Sequence, residues 1–159
     1  MDEYKDFFDN IVKGNNIKNN SGYSEESVSL LESQMDIELP MTYKLYLLSL
    51  GQSTVPFEYA TKSIDSLPAM RKKAQQLLGQ SSENLCLNDN DFVFLLNEGF
   101  MFLFFKLNEG DDPPVYGFAE EQRSSGFPQI SLSFTNLIQS LSEGARDIFL
   151  PLKPKDYPA

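Results

Sequence analysis

The chain has 159 residues, the size of one domain, with 41% hydrophobic and 13% aromatic content and a formal net charge of −10. That balance supports a packed core, excludes the disordered class, and argues against nonspecific nucleic-acid binding, which needs Lys and Arg to neutralise phosphates. There is no histidine and a single cysteine, so Ser–His–acid and Cys–His catalysis, histidine metal ligation and an internal disulfide framework are excluded.

The first ten residues, MDEYKDFFDN, are acidic and do not read as a secretory signal. No apolar run has the length of a membrane span, and the cysteine usage fits a reducing compartment, so cytoplasm is the expectation.

Tyr4, Phe7, Phe8, Ile11 and Val12 recur at helical spacing and predict a helix over 3–13, with Asp2 as its cap and Gly14 at its end. Residues 15–22 read as a loop, which with the first helix makes an N-terminal appendage over 1–23. Ser24 caps a second helix. Glu25 and Glu26 suit its positive first turn, and Val28, Leu31 and Met35 form its apolar face. Residues 36–40 are extended ahead of Pro40, which is pre-set to open a third helix that buries Tyr43, Tyr46, Leu47 and Leu50 and closes at Gly51. Residues 52–63 are open between a loop and a short edge strand at 54–57. A fourth helix over 66–79 turns Met70, Ala74, Leu77 and Leu78 inward and Arg71, Lys72 and Lys73 to solvent. Residues 85–87 are a further short strand candidate, with Cys86 an inert buried thiol between two leucines.

Residues 91–121 organise the rest. Phe92–Leu96 and Phe100–Leu107 are apolar with almost no alternation, so both faces of this hairpin should be covered. Asn97-Glu98-Gly99 makes the turn between them. Pro113-Pro114 introduce a third strand at 115–118. Residues 124–129 read as a loop, and Ser133 caps a last helix with Phe134, Leu137, Ile138 and Leu141 inward, ending near Gly144. The Pro-rich tail over 149–159 is extended, either docked through Phe149 and Leu152 or loose. The fold class expected is α+β, one domain, with a mainly antiparallel sheet around the central hairpin and about five flanking helices.

Little in this chain reads as catalysis. Carboxylate pairs exist, Asp89 with Asp91, Asp111 with Asp112 and Glu120 with Glu121, and keep a carboxylate-dependent hydrolase as an alternative. Asp89-Asn90-Asp91 looks like the start of a calcium loop, but Val93 and Leu95 stand where an oxygen ligand and a backbone turn are needed. No phosphate-binding glycine loop occurs, and no metal or cofactor is expected. The charge, however, is uneven. Residues 83–121 hold nine acids against Lys106, whereas 51–82 carry a small positive excess.

Two blocks of this sequence resemble the SUKH superfamily, the Smi/Knr-type immunity domain. One is Ser24-Glu25-Glu26-Ser27-Val28, Leu31-Glu32, Leu39-Pro40 and Tyr43-Lys44 with Tyr46-Leu47 and Leu50-Gly51. The other is the hairpin followed by Asp112-Pro113-Pro114-Val115-Tyr116 and Ser133-Phe134. Their order covers most of 24–141. The chain departs from the family in lacking Trp and in having Leu50-Gly51-Gln52 where members often have Asn-Gly-Gly.

The resemblance implies a non-catalytic α+β protein-binding domain. Many bacterial members neutralise a cognate toxin, often a nuclease, while eukaryotic relatives look like regulatory scaffolds, the alternative reading here. A nuclease site attracts phosphate and is basic, so an inhibitor that covers it should be acidic. The partner expected is therefore a basic toxin domain, with no direct nucleic-acid or membrane contact. The candidate partner-binding residues are Glu98, Glu120, Glu121, Glu109, Asp111 and Asp112. If the second and third strands are antiparallel, these acids form two clusters at opposite ends of the hairpin. The end with Glu98, Glu120 and Glu121 is favoured.

Overall fold

In the computed structural model, which describes residues 2–158 apart from Tyr59, Glu98 and Gly99, the central apolar runs form one antiparallel sheet. Its strands β1 (Asp91–Asn97), β2 (Met101–Lys106), β3 (Val115–Ala119) and β4 (Gln129–Ser131) lie side by side in chain order. Around it stand α1 (Asp2–Gly14), α2 (Glu25–Met35), α3 (Met41–Leu50), α4 (Leu67–Gly79) and α5 (Phe134–Ser142), with a 3-10 helix over Asp147–Leu152. This is a single α+β domain, as expected from the sequence.

The absence of alternation in β1 and β2 has the predicted consequence: Phe92 to Leu96 and Phe102 to Phe105 are all buried. On one face Phe92, Phe94 and Phe105 surround the ring of Tyr43 from α3, at centroid distances of 5.7, 5.8 and 5.2 Å, and Phe134 of α5 closes the cluster at 5.5 Å. On the other face Phe102, Phe104 and Phe118 lie against Phe127 from the loop after β3. α4 packs on β1 and β2. Lys106, the one charge in β2, places its ammonium 5.7 Å from the Phe104 ring and pairs with the buried Asp91 at 2.6 Å. A lysine at a strand end can bury its stem and still satisfy its charge in this way.

Several expectations need correction. The predicted hairpin is not the middle of the sheet, because β1 is an edge strand whose outer side carries one bridge, Leu96 to Thr61. β4 has no counterpart among the expected strands: Gln129 ends the loop expected over 124–129, and three residues are too few to show a period. The strand candidates at 54–57 and 85–87 do not form. Phe57 is instead a core residue against Tyr46 and Phe94. The backbone of Leu87 is held by side chains of α4, its N–H donating to Gln75 and its carbonyl accepting from Arg71. Arg71, which also bonds the Asp91 carbonyl at 2.8 Å, is thus a structural tie and not part of a solvated face. Cys86 between these ties is exposed, not buried.

The helix ends follow the sequence closely. Ser24 caps α2 through the Ser27 N–H, and Ser133 caps α5 through the Asn136 N–H. Asp2 is itself the first residue of α1 and not its cap. Glu32 accepts the Leu39 N–H at 2.8 Å and pairs with Lys44, fixing the extended stretch before Pro40. At Gly22 the loop touches α3 so closely that a Cβ would lie 1.6 Å from the Leu48 carbonyl oxygen.

Candidate functional site

The two acidic ends of the hairpin differ in what their carboxylates are doing. In the β2–β3 connection the acids are largely engaged within the fold. Pro40, at the N-cap of α3, has no side-chain oxygen to offer, and the Asp111 carbonyl accepts from both the N–H and the hydroxyl of Thr42 instead, at 3.0 and 2.9 Å. The Asp112 carboxylate accepts from the Thr135 N–H at 2.9 Å and its hydroxyl at 2.6 Å, a second cap on α5. Glu109 accepts from the Tyr116 hydroxyl, whose pKa is raised by burial first and then by this carboxylate. The Asp-Asp-Pro-Pro turn is therefore a clamp on two helix N-termini, and of its four residues only Asp111 is exposed.

Asp112→Ala removes one of the two caps on α5 and is expected to cost about 1–2 kcal/mol, read as a lowered thermal midpoint. Asp111→Ala, whose tie runs through the backbone, should leave the midpoint nearly unchanged.

Two further acids of the 83–121 segment are also engaged. Asp91 is held by Lys106 and the Asn88 N–H, and Glu83 accepts from the Gly126 N–H. Among the described residues no group of three or more His, Cys, Asp or Glu is placed to hold a metal ion.

At the other end the geometry changes. β2 and β3 are antiparallel with Met101 opposite Ala119, and the Glu120 N–H donates to the Phe100 carbonyl at 3.0 Å. Glu120 and Glu121 are thereby set beside Phe100, at the start of β2 and away from the β2–β3 connection, as the strand pairing predicts. Both are exposed, and neither carboxylate has a hydrogen-bond or ion-pair partner among the described residues. Glu98, predicted to join them, lies outside the described residues.

Glu120 and Glu121 border a groove of about 410 Å³. Its base is apolar: Met101 from β2, Ala119 from β3 and the buried Leu152. Phe100 and Tyr157 also line it, half-exposed at 51% and 48%, two of the few large apolar side chains on the surface.

The C-terminal segment forms the second side of this groove. Leu152 seats on Gly117, where a Cβ would come within 2.9 Å of its methyl group, so glycine in β3 is what lets the 3-10 helix approach the sheet. Arg123 then fastens the segment beyond. Its guanidinium donates to the carbonyls of Lys153, Pro154 and Tyr157 at 3.3, 2.8 and 3.2 Å, and its N–H to Lys153 at 2.8 Å. Of the two alternatives for the tail, docked or loose, the docked one holds, through Leu152 and Phe149, while its first residues are the end of the 3-10 helix and not extended. Phe100 read as the start of a strand and Arg123 carried no signal beyond being a lone cation after two acids. Both were missed because the groove is made by segments distant in sequence.

A separate polar hollow of about 580 Å³ lies between α3 and the Thr61 bridge, lined by Tyr23, Gln52 and Lys62 among others. Burial lowers the Lys62 pKa, and its ammonium reaches the Gly51 carbonyl at 3.3 Å. No helix among the described residues is long and apolar enough to cross a membrane. Comparison with models of known protein families gave no match, and comparison with curated proteins gave none either.

Proposed function

We propose that this chain is a SUKH-type immunity domain, non-catalytic and cytoplasmic, that binds and blocks a basic toxin domain, in the first instance a nuclease. The observation that carries the reading is the pair Glu120 and Glu121, exposed and without partners among the described residues, beside an apolar groove with two exposed aromatic rings. Unpaired acids next to exposed aromatics suit a protein interface, where aromatic anchors give affinity and charge gives speed and selectivity. Engagement of Asp91, Glu83, Glu109 and Asp112 inside the fold weighs against the hydrolase alternative, since each carboxylate pair except Glu120 with Glu121 has a member so engaged. The positions of the resembling blocks support the family reading: Leu39-Pro40 leads into α3, and the Asp112 turn joins α3 to α5.

The test is to purify this chain with a candidate basic nuclease toxin domain and to assay that domain's nuclease activity with and without it. The expected result is a stable complex and loss of activity at equimolar chain. Full activity with the chain in excess, or no complex, would remove this reading.

A further inference from the structure

We infer that the groove between the sheet end and the docked C-terminal segment takes the side chain of an arginine presented on an exposed basic stretch of the partner, with Arg123 acting as the positioning residue that keeps the groove's second side in place. The inference rests on the proposed partner-binding role and specifies its chemistry.

The groove already accommodates a cation of its own chain. The Lys153 ammonium lies 5.0 Å from the centroid of the Tyr157 ring, and no carboxylate lies within ion-pair distance of it among the described residues. The aromatic side therefore has the electrostatics to hold a positive group, and Glu120 and Glu121 stand along the same opening. A cation entering from a partner would displace the Lys153 ammonium from the ring, since the two like charges repel, and would then meet both the ring and the carboxylates. Arginine fits this combination better than lysine: its guanidinium is flat, stacks on aromatic faces, loses less hydration than an ammonium and pairs with carboxylates through a fork of donors. Its methylene stem would lie on Met101, Ala119 and Leu152.

The arrangement depends on Arg123. Four hydrogen bonds from one residue reach three carbonyls between Lys153 and Tyr157. Without them the C-terminal segment keeps Leu152 and the partly buried Ile148 and Phe149 on the core, but the turn from Lys153 to Tyr157 loses its hydrogen bonds to Arg123.

The test is amide NMR of the isotope-labelled full chain titrated with the capped peptide acetyl-Gly-Leu-Arg-Leu-Gly-amide, and with the same peptide carrying citrulline, the neutral isostere, for arginine. The arginine peptide should shift amides over 100–101, 119–123 and 152–157, and the citrulline peptide should bind at least tenfold more weakly. Tyr157→Ala, an exposed position, and the pair Glu120→Gln with Glu121→Gln should each give a similar loss. Arg123→Ala should weaken the peptide while raising amide exchange over 153–157, with the sheet amides unchanged.

Equal binding of the two peptides, or shifts around Asp89 and Asp111 as large as those at the groove, would overturn the inference. So would unchanged peptide binding in Tyr157→Ala. These outcomes separate from those of the proposed function. Arginine binding at the groove in a chain that blocks no toxin keeps the inference and removes the function. A toxin blocked equally well by the Tyr157→Ala and Glu120→Gln, Glu121→Gln chains keeps the function and removes the inference.

Discussion

Phe104→Ala lowers the unfolding free energy by about 3–5 kcal/mol, the cost of emptying a fully packed aromatic site. Phe104 is 1% exposed in β2, a strand hydrogen-bonded on both sides. Its ring meets Tyr116 at 5.5 Å, Phe127 at 5.1 Å and Phe102 at 6.0 Å, three rings contributed by different parts of the chain. They cannot collapse into the gap together, because Tyr116 is fixed by the sheet register and by Glu109. The Lys106 ammonium loses one of its two aromatic neighbours in the same change. For a domain of this size the loss corresponds to a melting temperature lower by about 10 °C, a large part of the total stability. Thermal unfolding followed by circular dichroism reads it directly. A midpoint within a degree or two of the unaltered chain would contradict the packing described for this face of the sheet.

Reversing Glu120 and Glu121 to lysine should slow association with a basic partner by roughly tenfold or more at low salt and flatten the dependence of that rate on ionic strength. The fold should be indifferent, since neither carboxylate bonds anything among the described residues. The comparison that gives this result meaning is Asp111→Lys at the other end of the hairpin, whose exposed side chain has no partner among the described residues while its backbone tie to Thr42 persists. Asp112 is unsuitable for that comparison, because reversing it places a lysine at the N-terminus of α5 in place of a cap. Stopped-flow association at two salt concentrations distinguishes the ends. Equal slowing by Asp111→Lys would mean that the partner spans the sheet edge; no slowing by either would leave the acids as solubilising charge.

Much of the fold was legible because its signals are local. Ser24 and Ser133 announce helix starts, and Phe8, Leu31, Tyr43 and Leu137 sit at the helical spacings that predict burial. The uninterrupted apolar runs of β1 and β2 require cover on both faces, and they have it. β4 was not legible, since Gln129, Ile130 and Ser131 gain strand structure only from the neighbouring β3. The reach of Arg71 to two carbonyls and the exposure of Cys86 likewise depend on where α4 comes to rest.

The site shows the same division. Strand pairing alone placed Glu120 and Glu121 at the end away from Asp111 and Asp112. The sequence could not separate free acids from engaged ones, because what engages Asp112 is Thr135, 23 residues on. Nor could it supply Tyr157, brought to Phe100 by three hydrogen bonds from one arginine.

The most direct test of the partner surface is hydrogen–deuterium exchange of this chain alone and in complex with the toxin domain it is found to block. Slowed exchange over 119–123 and 153–157, with 108–112 and the exposed side of α4 unchanged, is the result expected. Protection confined to 108–112 or to α4, with the groove segments exchanging as in the free chain, would contradict it.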